Sequence, residues 1–531
     1  MKKILISDPL VKEGVEILKK NPEFSVDVKT GMKPEELLRI IGEYDGLLVR
    51  SETKVTEVIL SEAKNLKIIG RAGTGVDNID VKGASKKGIV VMNVPGGNTI
   101  SAAEHTVSML LALSRNIPQA NASLKKGEWK KKDFVGTEVF GKTVGIIGLG
   151  KIGVEVAKRL LAFGTKVLIH DLFVSKERAG QLGVESVSLD ELFANSDYIT
   201  IHTPKTEQTK NIINAGTIKK MKDGVRIINC ARGGLIDEKA LAEALKSGKV
   251  KGAALDVFEK EPLCDSPFFE LNNVIITPHL GASTEEAQTN VSVEIAKQLS
   301  EFFAKGTIRN AVNFPYIPAE ILQKMQPYIN LAEKLGSFVS QITDGRILSI
   351  KVGYSGDITK YDLSPMTIAS VKGVLESVSE EGTLNFINAS IVAQEKGIKI
   401  TETRIAEQTD FTNLVAVKLK TEAAENVIAG TIFGKNELRI VKINDYYVDV
   451  EPTENILIFS NTDKPGVIGK IGVILGKNSI NIASMEVGRK IAGSDAITIV
   501  NVDSDISENV LSEIKTQPEI KNVKMVKLSQ E

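Results

Sequence analysis

Thr143–Asp171 reads TVGIIGLGKIGVEVAKRLLAFGTKVLIHD, and the order of its apolar runs, glycines and acid decides how the surrounding chain folds. Val144, Ile146 and Ile147 form a short apolar run that ends in Gly148-Leu149-Gly150-Lys151-Ile152-Gly153. Ile152, Val156, Leu160 and Phe163 then recur at helical spacing, and a second apolar run, Val167 to Ile169, stops at Asp171. The expectation is strand, glycine turn, helix, strand, acid. Each part has a task in holding a dinucleotide. Gly148 permits a tight turn, Gly150 lets backbone approach a pyrophosphate, and Gly153 lets the helix lie close to the strands. Free N–H groups and the positive dipole end at the helix start attract phosphate. Asp171, 18 residues beyond Gly153, stands where a carboxylate accepts hydrogen bonds from an adenosine ribose. Its charge would repel a 2′-phosphate, so the expected cofactor is NAD rather than NADP.

A chain of 531 residues has room for about three or four domains. Hydrophobic content of 42% beside 25% charged residues is that of a soluble globular protein. Lys+Arg and Asp+Glu each total 67, so no net field points to nucleic acid or to an acidic membrane as a partner. The two cysteines, Cys230 and Cys264, are too few for a disulfide framework. They fit a reducing compartment, and a cytoplasmic protein is expected. No Cys/His pair has metal-ligand spacing, so no metal is expected. MKKILISDPL reads as a first strand interrupted at Ser7-Asp8-Pro9 rather than as a signal peptide, and no run of 18 apolar residues suggests a membrane span.

Outward from the glycine turn, short β-rich runs alternate with helical patterns. Before it come Ile4–Ser7, Phe24–Val28, Gly46–Val49, Leu66–Gly70 and Ile89–Asn93; after it come Tyr198–His202, Arg226–Asn229, Ala253–Val257 and Val274–Thr277. Such alternation means βα units and mostly parallel sheets. Asn93-Val94-Pro95-Gly96-Gly97-Asn98 breaks the pattern and marks a domain junction, followed by a long apolar helix, Thr99 to Arg115. From about 316 to 452 the pattern turns α+β, with helices Leu322–Val339 and Thr367–Val378 and strands Ile347–Val352 and Leu438–Ile443. Beyond Pro452, runs at Ile456–Ser460, Ile482–Val487, Ala496–Val502 and Val523–Leu528 alternate with two helices in a βαββαβ, ferredoxin-like order.

Ligands of open α/β sheets sit outside the carboxyl ends of the strands. Arg50 and Arg71 each end a strand, and guanidinium forks match phosphate or carboxylate. Gly73 lies in Ala72-Gly73-Thr74-Gly75, where a small ligand could meet backbone N–H groups. Hydride exchange with a nicotinamide needs a proton carrier and a cation for the substrate's carboxylate. Of the four histidines, His105 lies within a helix and suggests packing, and His170 lies beside the expected adenosine site. His202 is open to either a structural or a cofactor-shaping role. His279, at the end of the last strand, is the best candidate for proton transfer. Glu261 could accept a hydrogen bond from it and raise its basicity, or could be a solvated acid. Arg232, among small residues at a strand end, could clamp the carboxylate or cap its strand. Cys230 has no partnered base and suggests a buried thiol.

Several stretches together resemble one family. Gly148–Gly153, Asn229-Cys230-Ala231-Arg232-Gly233-Gly234, Asp256-Val257-Phe258-Glu259-Lys260-Glu261-Pro262 and Thr277-Pro278-His279-Leu280-Gly281 are similar to the D-2-hydroxyacid dehydrogenases. Val49-Arg50-Ser51, Gly70–Asn78 and the overall length resemble their long-form D-3-phosphoglycerate dehydrogenase branch. The resemblance implies that His279 takes the C2 hydroxyl proton, Glu261 holds it, and Arg232 binds the carboxylate. It implies NAD contacts at Thr74, Lys151, Ile152, Asp171, Thr203, Cys230, Asp256, His279, Leu280, Gly281 and Ala282. It implies that Arg50 and Arg71 meet the anionic groups of 3-phosphoglycerate, aided by a basic residue such as Lys131, after Trp129, reaching across a homodimer or homotetramer. It also implies an α/β fold with two doubly wound Rossmann-like domains: 1–97 completed by 284–315 for substrate, and 98–283 for NAD. An α+β intervening domain at 316–452 and an ACT domain at 455–531 would follow. Asn461, Asp463, Pro465, Gly466 and Asn481 match the ACT effector region, with L-serine the expected effector. Two other readings share the scaffold: a glyoxylate or hydroxypyruvate reductase, and a NAD-sensing binding protein like the C-terminal-binding-protein corepressors.

Overall fold

The computed structural model describes residues 1–315, 317–376, 378–379, 384–405 and 410–529. Position 316, where the third expected domain begins, position 377 of the expected Thr367–Val378 helix, and the last two positions of the fourth domain lie outside the described residues. Among the described residues no helix is long and apolar enough to cross a membrane.

The β-rich runs before the junction form one parallel five-stranded sheet, in the order Phe24–Val28, Lys2–Ile6, Gly46–Val49, Ile68–Arg71, Val90–Met92. Its inner strands bury consecutive apolar residues (Ile4 to Ile6, Leu47 to Val49, Ile68 and Ile69) because helices cover both faces. One of those helices is distant in sequence: Glu285–Lys305 places Val291, Ile295 and Leu299 in the same core as Ile4, Leu48 and Ile68. The chain then adds a short antiparallel bridge at Ala311 beside Met92. Asn313 reinforces it, accepting from Val91 N–H at 2.9 Å and donating to the Ile89 carbonyl at 2.9 Å.

The opening stretch becomes the centre of a parallel seven-stranded sheet. Its order is Val274–Ile276, Val250–Leu255, Val225–Asn229, Tyr198–Ile201, Thr143–Ile147, Lys166–His170, Glu185–Ser186. Strand order reverses between Thr143–Ile147 and its neighbour Tyr198–Ile201, so a crevice opens at their carboxyl ends. The two-residue edge strand Glu185–Ser186 carries too little pattern to be read from sequence.

The α+β region holds a six-stranded sheet, parallel only between Ile347–Gly356 and Lys399–Arg404, beneath the helices Ala319–Ile342 and Ser364–Glu376. The last unit is a four-stranded antiparallel sheet with helices Val467–Lys477 and Glu508–Lys515. Alternate residues of its strands serve different cores. Leu457, Phe459, Val500 and Val502 lie under its own helices, whereas Ile456, Ile458, Ile497 and Ile499 join Leu335 and Phe338 of Ala319–Ile342. The two C-terminal units therefore share one apolar core.

Candidate active site

The cofactor side is built from the glycine turn. Gly148 has φ +94°, and a Cβ there would stand 2.7 Å from the His202 carbonyl oxygen. A Cβ at Gly153 would lie 2.3 Å from the Gly148 oxygen, so only glycine lets Lys151–Ala162 start so close to the turn. Gly150 faces open space and caps the helix with no side-chain bond, which leaves the first N–H groups to a ligand. Asp171 closes the far side: Leu149 N–H donates to Oδ2 at 2.7 Å and Phe173 N–H to Oδ1 at 2.8 Å. Between this turn and Pro95-Gly96 lies a cleft of about 600 Å³. Lys151 Nζ spans it to the Pro95 carbonyl at 3.2 Å. Thr203 Oγ1 is buried beside the turn without a partner, and a buried hydroxyl in that state is completed by a ligand or water. An uncapped helix start, open glycine, terminal acid and orphan hydroxyl fit NAD. The Ile152 side chain packs against the sheet's core. Thr74 Oγ1 lies 2.8 Å from Asn98 Oδ1 at the domain junction. Burial, with Asp256 nearby, pushes the Cys230 thiol up to about 12, which disfavours the thiolate form.

Across the junction a larger cleft of about 870 Å³ has Arg50, Arg71, Gly73, Glu261, His279 and Ala282 among its walls. His279 Nδ1 lies 2.8 Å from Glu261 Oε2, and Phe258 N–H donates to Glu261 Oε1 at 3.0 Å. Burial alone would raise the Glu261 pKa, but the His279 and Phe258 bonds hold it below the usual carboxylate value. His279 has φ 56°, a left-handed conformation that costs a non-glycine residue energy and must be imposed by its surroundings.

Asp256 imposes it. This carboxylate, fully buried, accepts from Leu280 N–H at 2.7 Å, Gly281 N–H at 2.8 Å and the Thr277 hydroxyl at 2.5 Å. His105 Nε2 stands 3.2 Å from the same Oδ1. Burial pushes the Asp256 pKa up, yet its bonds to His105, Thr277 and Leu280 bring it below the ordinary value. Both Asp256 oxygens are engaged within the chain, and the side chain shapes the His279 loop. His105 is likewise more than packing. Its place on the inward face of Thr99–Arg115, with Ala102 and Met109, was the one available signal.

The cations converge from two domains. Arg232 sits in a loop fixed by Asn229, whose Nδ2 donates to the Arg232 carbonyl at 2.9 Å and whose Oδ1 accepts from Ala231 N–H at 3.0 Å. It reaches over to the first domain, where its Nε pairs with Asp77 Oδ2 at 3.0 Å. The Arg71 guanidinium lies across Gly73, φ +151°, in space that any Cβ would occupy. Burial first, then the charges of Arg232 and Arg50, push Arg71 down to about 10. Its Nε is buried without a partner. Such a cluster lowers its own repulsion by taking up an anion.

Other expected residues are placed elsewhere. Lys131 lies in the short exposed turn Lys131–Phe134 and is not brought to the cleft within this chain. Asn461 is 3% exposed, its Oδ1 accepting from Thr498 Oγ1 at 2.8 Å, so its side chain turns into the sheet. Asp463 accepts from Arg489 Nη1 at 2.9 Å and Gly493 N–H at 3.0 Å, with Pro465 and Gly466 on the same loop. Asn481 bonds Asp503 at 2.6 Å at the opposite end of the sheet, because Ile482 pairs with Val502 and Thr462 with Asp495. One chain does not bring these effector residues together.

Comparison with known proteins settles the family. Residues 107–281 match the NAD binding domain of D-isomer specific 2-hydroxyacid dehydrogenases, 324–444 the D-3-phosphoglycerate dehydrogenase intervening domain, and 455–519 the ACT domain. A D-3-phosphoglycerate dehydrogenase of Synechocystis is 47% identical over 99% of this chain and 95% of its own length. One from Archaeoglobus fulgidus is 47% identical over 96% of this chain and 97% of its own. The chain belongs to the D-3-phosphoglycerate dehydrogenase family. As a member, it is an NAD-dependent oxidoreductase acting on a small molecule. A D-lactate dehydrogenase of Aquifex aeolicus, solved with NAD and lactic acid, superposes with TM-score 0.53 and 33% identity over 59% of this chain and 100% of that one.

Proposed function

We propose that the chain oxidises 3-phospho-D-glycerate to 3-phosphohydroxypyruvate with NAD, opening L-serine synthesis. The observation that carries this reading is a cleft walled by Arg50, Arg71 and the His279–Glu261 pair, with Arg232 held beside it by Asp77 and near enough to Arg71 for their charges to oppose. A substrate with a carboxylate at one end and a phosphate at the other suits cations from two domains. Arg232 binds the carboxylate and polarises the C2–O bond, while Arg50 and Arg71 take the phosphate. With Nδ1 held by Glu261, His279 presents Nε2 to the C2 hydroxyl and accepts its proton; Glu261 stabilises the imidazolium that results. NAD, when bound, supplies the hydride acceptor. Asp171 favours the free ribose hydroxyls and disfavours a 2′-phosphate.

The same reading divides the chain into a substrate unit (1–97 with 284–315), an NAD unit (98–283), an intervening unit (316–452) and an ACT unit (455–531). L-serine would act at the last. Two chains paired through their ACT units could join Asp463, Pro465 and Gly466 of one copy with Asn481 of the other, and Lys131 could reach a second copy's cleft. The test is initial-rate NADH formation from 3-phosphoglycerate with phosphohydroxypyruvate trapped, with and without L-serine. No NADH would overturn the reaction, and a serine-independent rate would overturn the effector.

A further inference from the structure

In the first sheet the strand order places Lys2–Ile6 beside Gly46–Val49, and connections leave these neighbours in opposite directions. The crevice at their carboxyl ends is the position where open sheets bind ligands. Two segments meet there, Ser7-Asp8-Pro9 and Arg50–Lys54. Asp8 is 1% exposed, yet its partners are chiefly main-chain N–H groups: Arg50 at 2.6 Å, Glu52 at 3.2 Å and Thr53 at 3.0 Å. The Thr53 hydroxyl also donates to Asp8 Oδ1. From the other side, Asn78 Nδ2 donates to the Arg50 carbonyl at 2.8 Å and the Thr53 carbonyl at 2.7 Å. The loop's N–H groups thus point inward onto one carboxylate and two of its carbonyls onto one amide. Arg50, Glu52 and Lys54 are left on the cleft wall. Main-chain bonds to a carboxylate are about twice as strong as neutral ones, so this arrangement removes most of the loop's freedom before any ligand arrives.

We propose that Asp8 is a positioning residue for phosphate recognition, its buried carboxylate fixing the Arg50–Lys54 loop so that Arg50 meets the substrate's phosphate with Lys54 beside it. The proposal rests on the phosphorylated substrate read above. Asp8 touches no reacting atom. It acts through the loop, and its signature is therefore a split between substrate affinity and turnover.

Asp8→Asn keeps size and shape but turns an NH₂ group toward an N–H donor. With phosphohydroxypyruvate and NADH, its KM should rise on the order of tenfold, while kcat and the KM for NADH stay within about twofold. With hydroxypyruvate, which has no phosphate, its kcat/KM should equal that of the wild type. Thr53→Val removes the hydroxyl's bonds to Asp8 and Ser7 and keeps the Thr53 N–H on Asp8; it should give a smaller rise of the same kind, and serves alone if Asp8→Asn fails to fold. Added to Arg50→Ala, Asp8→Asn should cost little more, because its effect runs through Arg50. An unchanged KM for phosphohydroxypyruvate, equal losses on both substrates, or full additivity with Arg50→Ala would overturn the proposal alone. A wild type that reduces hydroxypyruvate but not phosphohydroxypyruvate would remove the functional reading and the proposal together.

Discussion

Gly233→Ala tests how the two catalytic loops are held in register. Gly233 lies outside the left-handed region, so an alanine there meets no backbone strain and the objection is purely steric. Its Cβ would sit 1.7 Å from the Phe258 oxygen and 2.9 Å from Glu259 N, all main-chain atoms that cannot swing aside. An ordinary C···O contact is ~3.3 Å, so the 258–261 segment must retreat by about 1.5 Å. That segment carries Glu261, now 2.8 Å from His279. A shift of this size breaks the hydrogen bond, and misplacement by about 1 Å costs roughly 10²-fold in rate, or ~2.7 kcal/mol. Overpacking should also lower stability by about 1–3 kcal/mol. NAD affinity should hold within about twofold, because the glycine turn lies on other strands. Steady-state kinetics beside NAD titration by fluorescence separate these quantities. Wild-type kcat/KM in Gly233→Ala, or parallel losses of turnover and NAD affinity, would refute the reasoning.

Two further changes probe the cofactor side. Asp171→Ala removes the acid that accepts from Leu149 N–H; the KM for NAD should rise on the order of tenfold and the preference should move toward NADP, and unchanged kinetics with both nucleotides would count against the ribose role. His202 gives a pH dependence: burial pushes its imidazole from 6.5 down to about 4. The unfolded chain then binds the extra proton between those values, so stability is full above ~6.5 and falls toward pH ~4 by up to about 1.4 kcal/mol per unit. Urea unfolding should show a flatter profile over that window in His202→Asn; an identical slope would remove His202 as its source.

What the sequence disclosed follows the chemistry of nearness. Gly148, Gly150, Gly153 and Asp171 belong to one strand–turn–helix–strand unit, so a local pattern sufficed to place them. Arg50, Arg71, Arg232 and His279 could be singled out because each ends an apolar run, and a sheet rim gathers such ends wherever they lie in the chain. Asp8 escaped, as did the bond between Asp256 and His105, because a buried polar residue looks like packing until its partners are known. The carboxylates of Asp8 and Asp256 bond loops more than 20 residues away in sequence, and no local period reports that. The core shared by Leu335, Ile456 and Ile497 was hidden for the same reason. Each strand's alternation shows that it has two buried faces without naming the neighbour on either. The side-chain direction of Asn461 was hidden too: it lies opposite Ala496 on the ladder, and its amide turns to Thr498.

The most direct measurement compares NADH formation from 3-phosphoglycerate and from D-glycerate under identical conditions, with the product trapped in both. If Arg50 and Arg71 take the phosphate beside the His279–Glu261 pair, kcat/KM for the phosphorylated acid should exceed that for D-glycerate by at least ~10³-fold, since cations built to meet an anion reject a substrate that lacks it. Equal turnover of the two acids, or none of 3-phosphoglycerate, would contradict it.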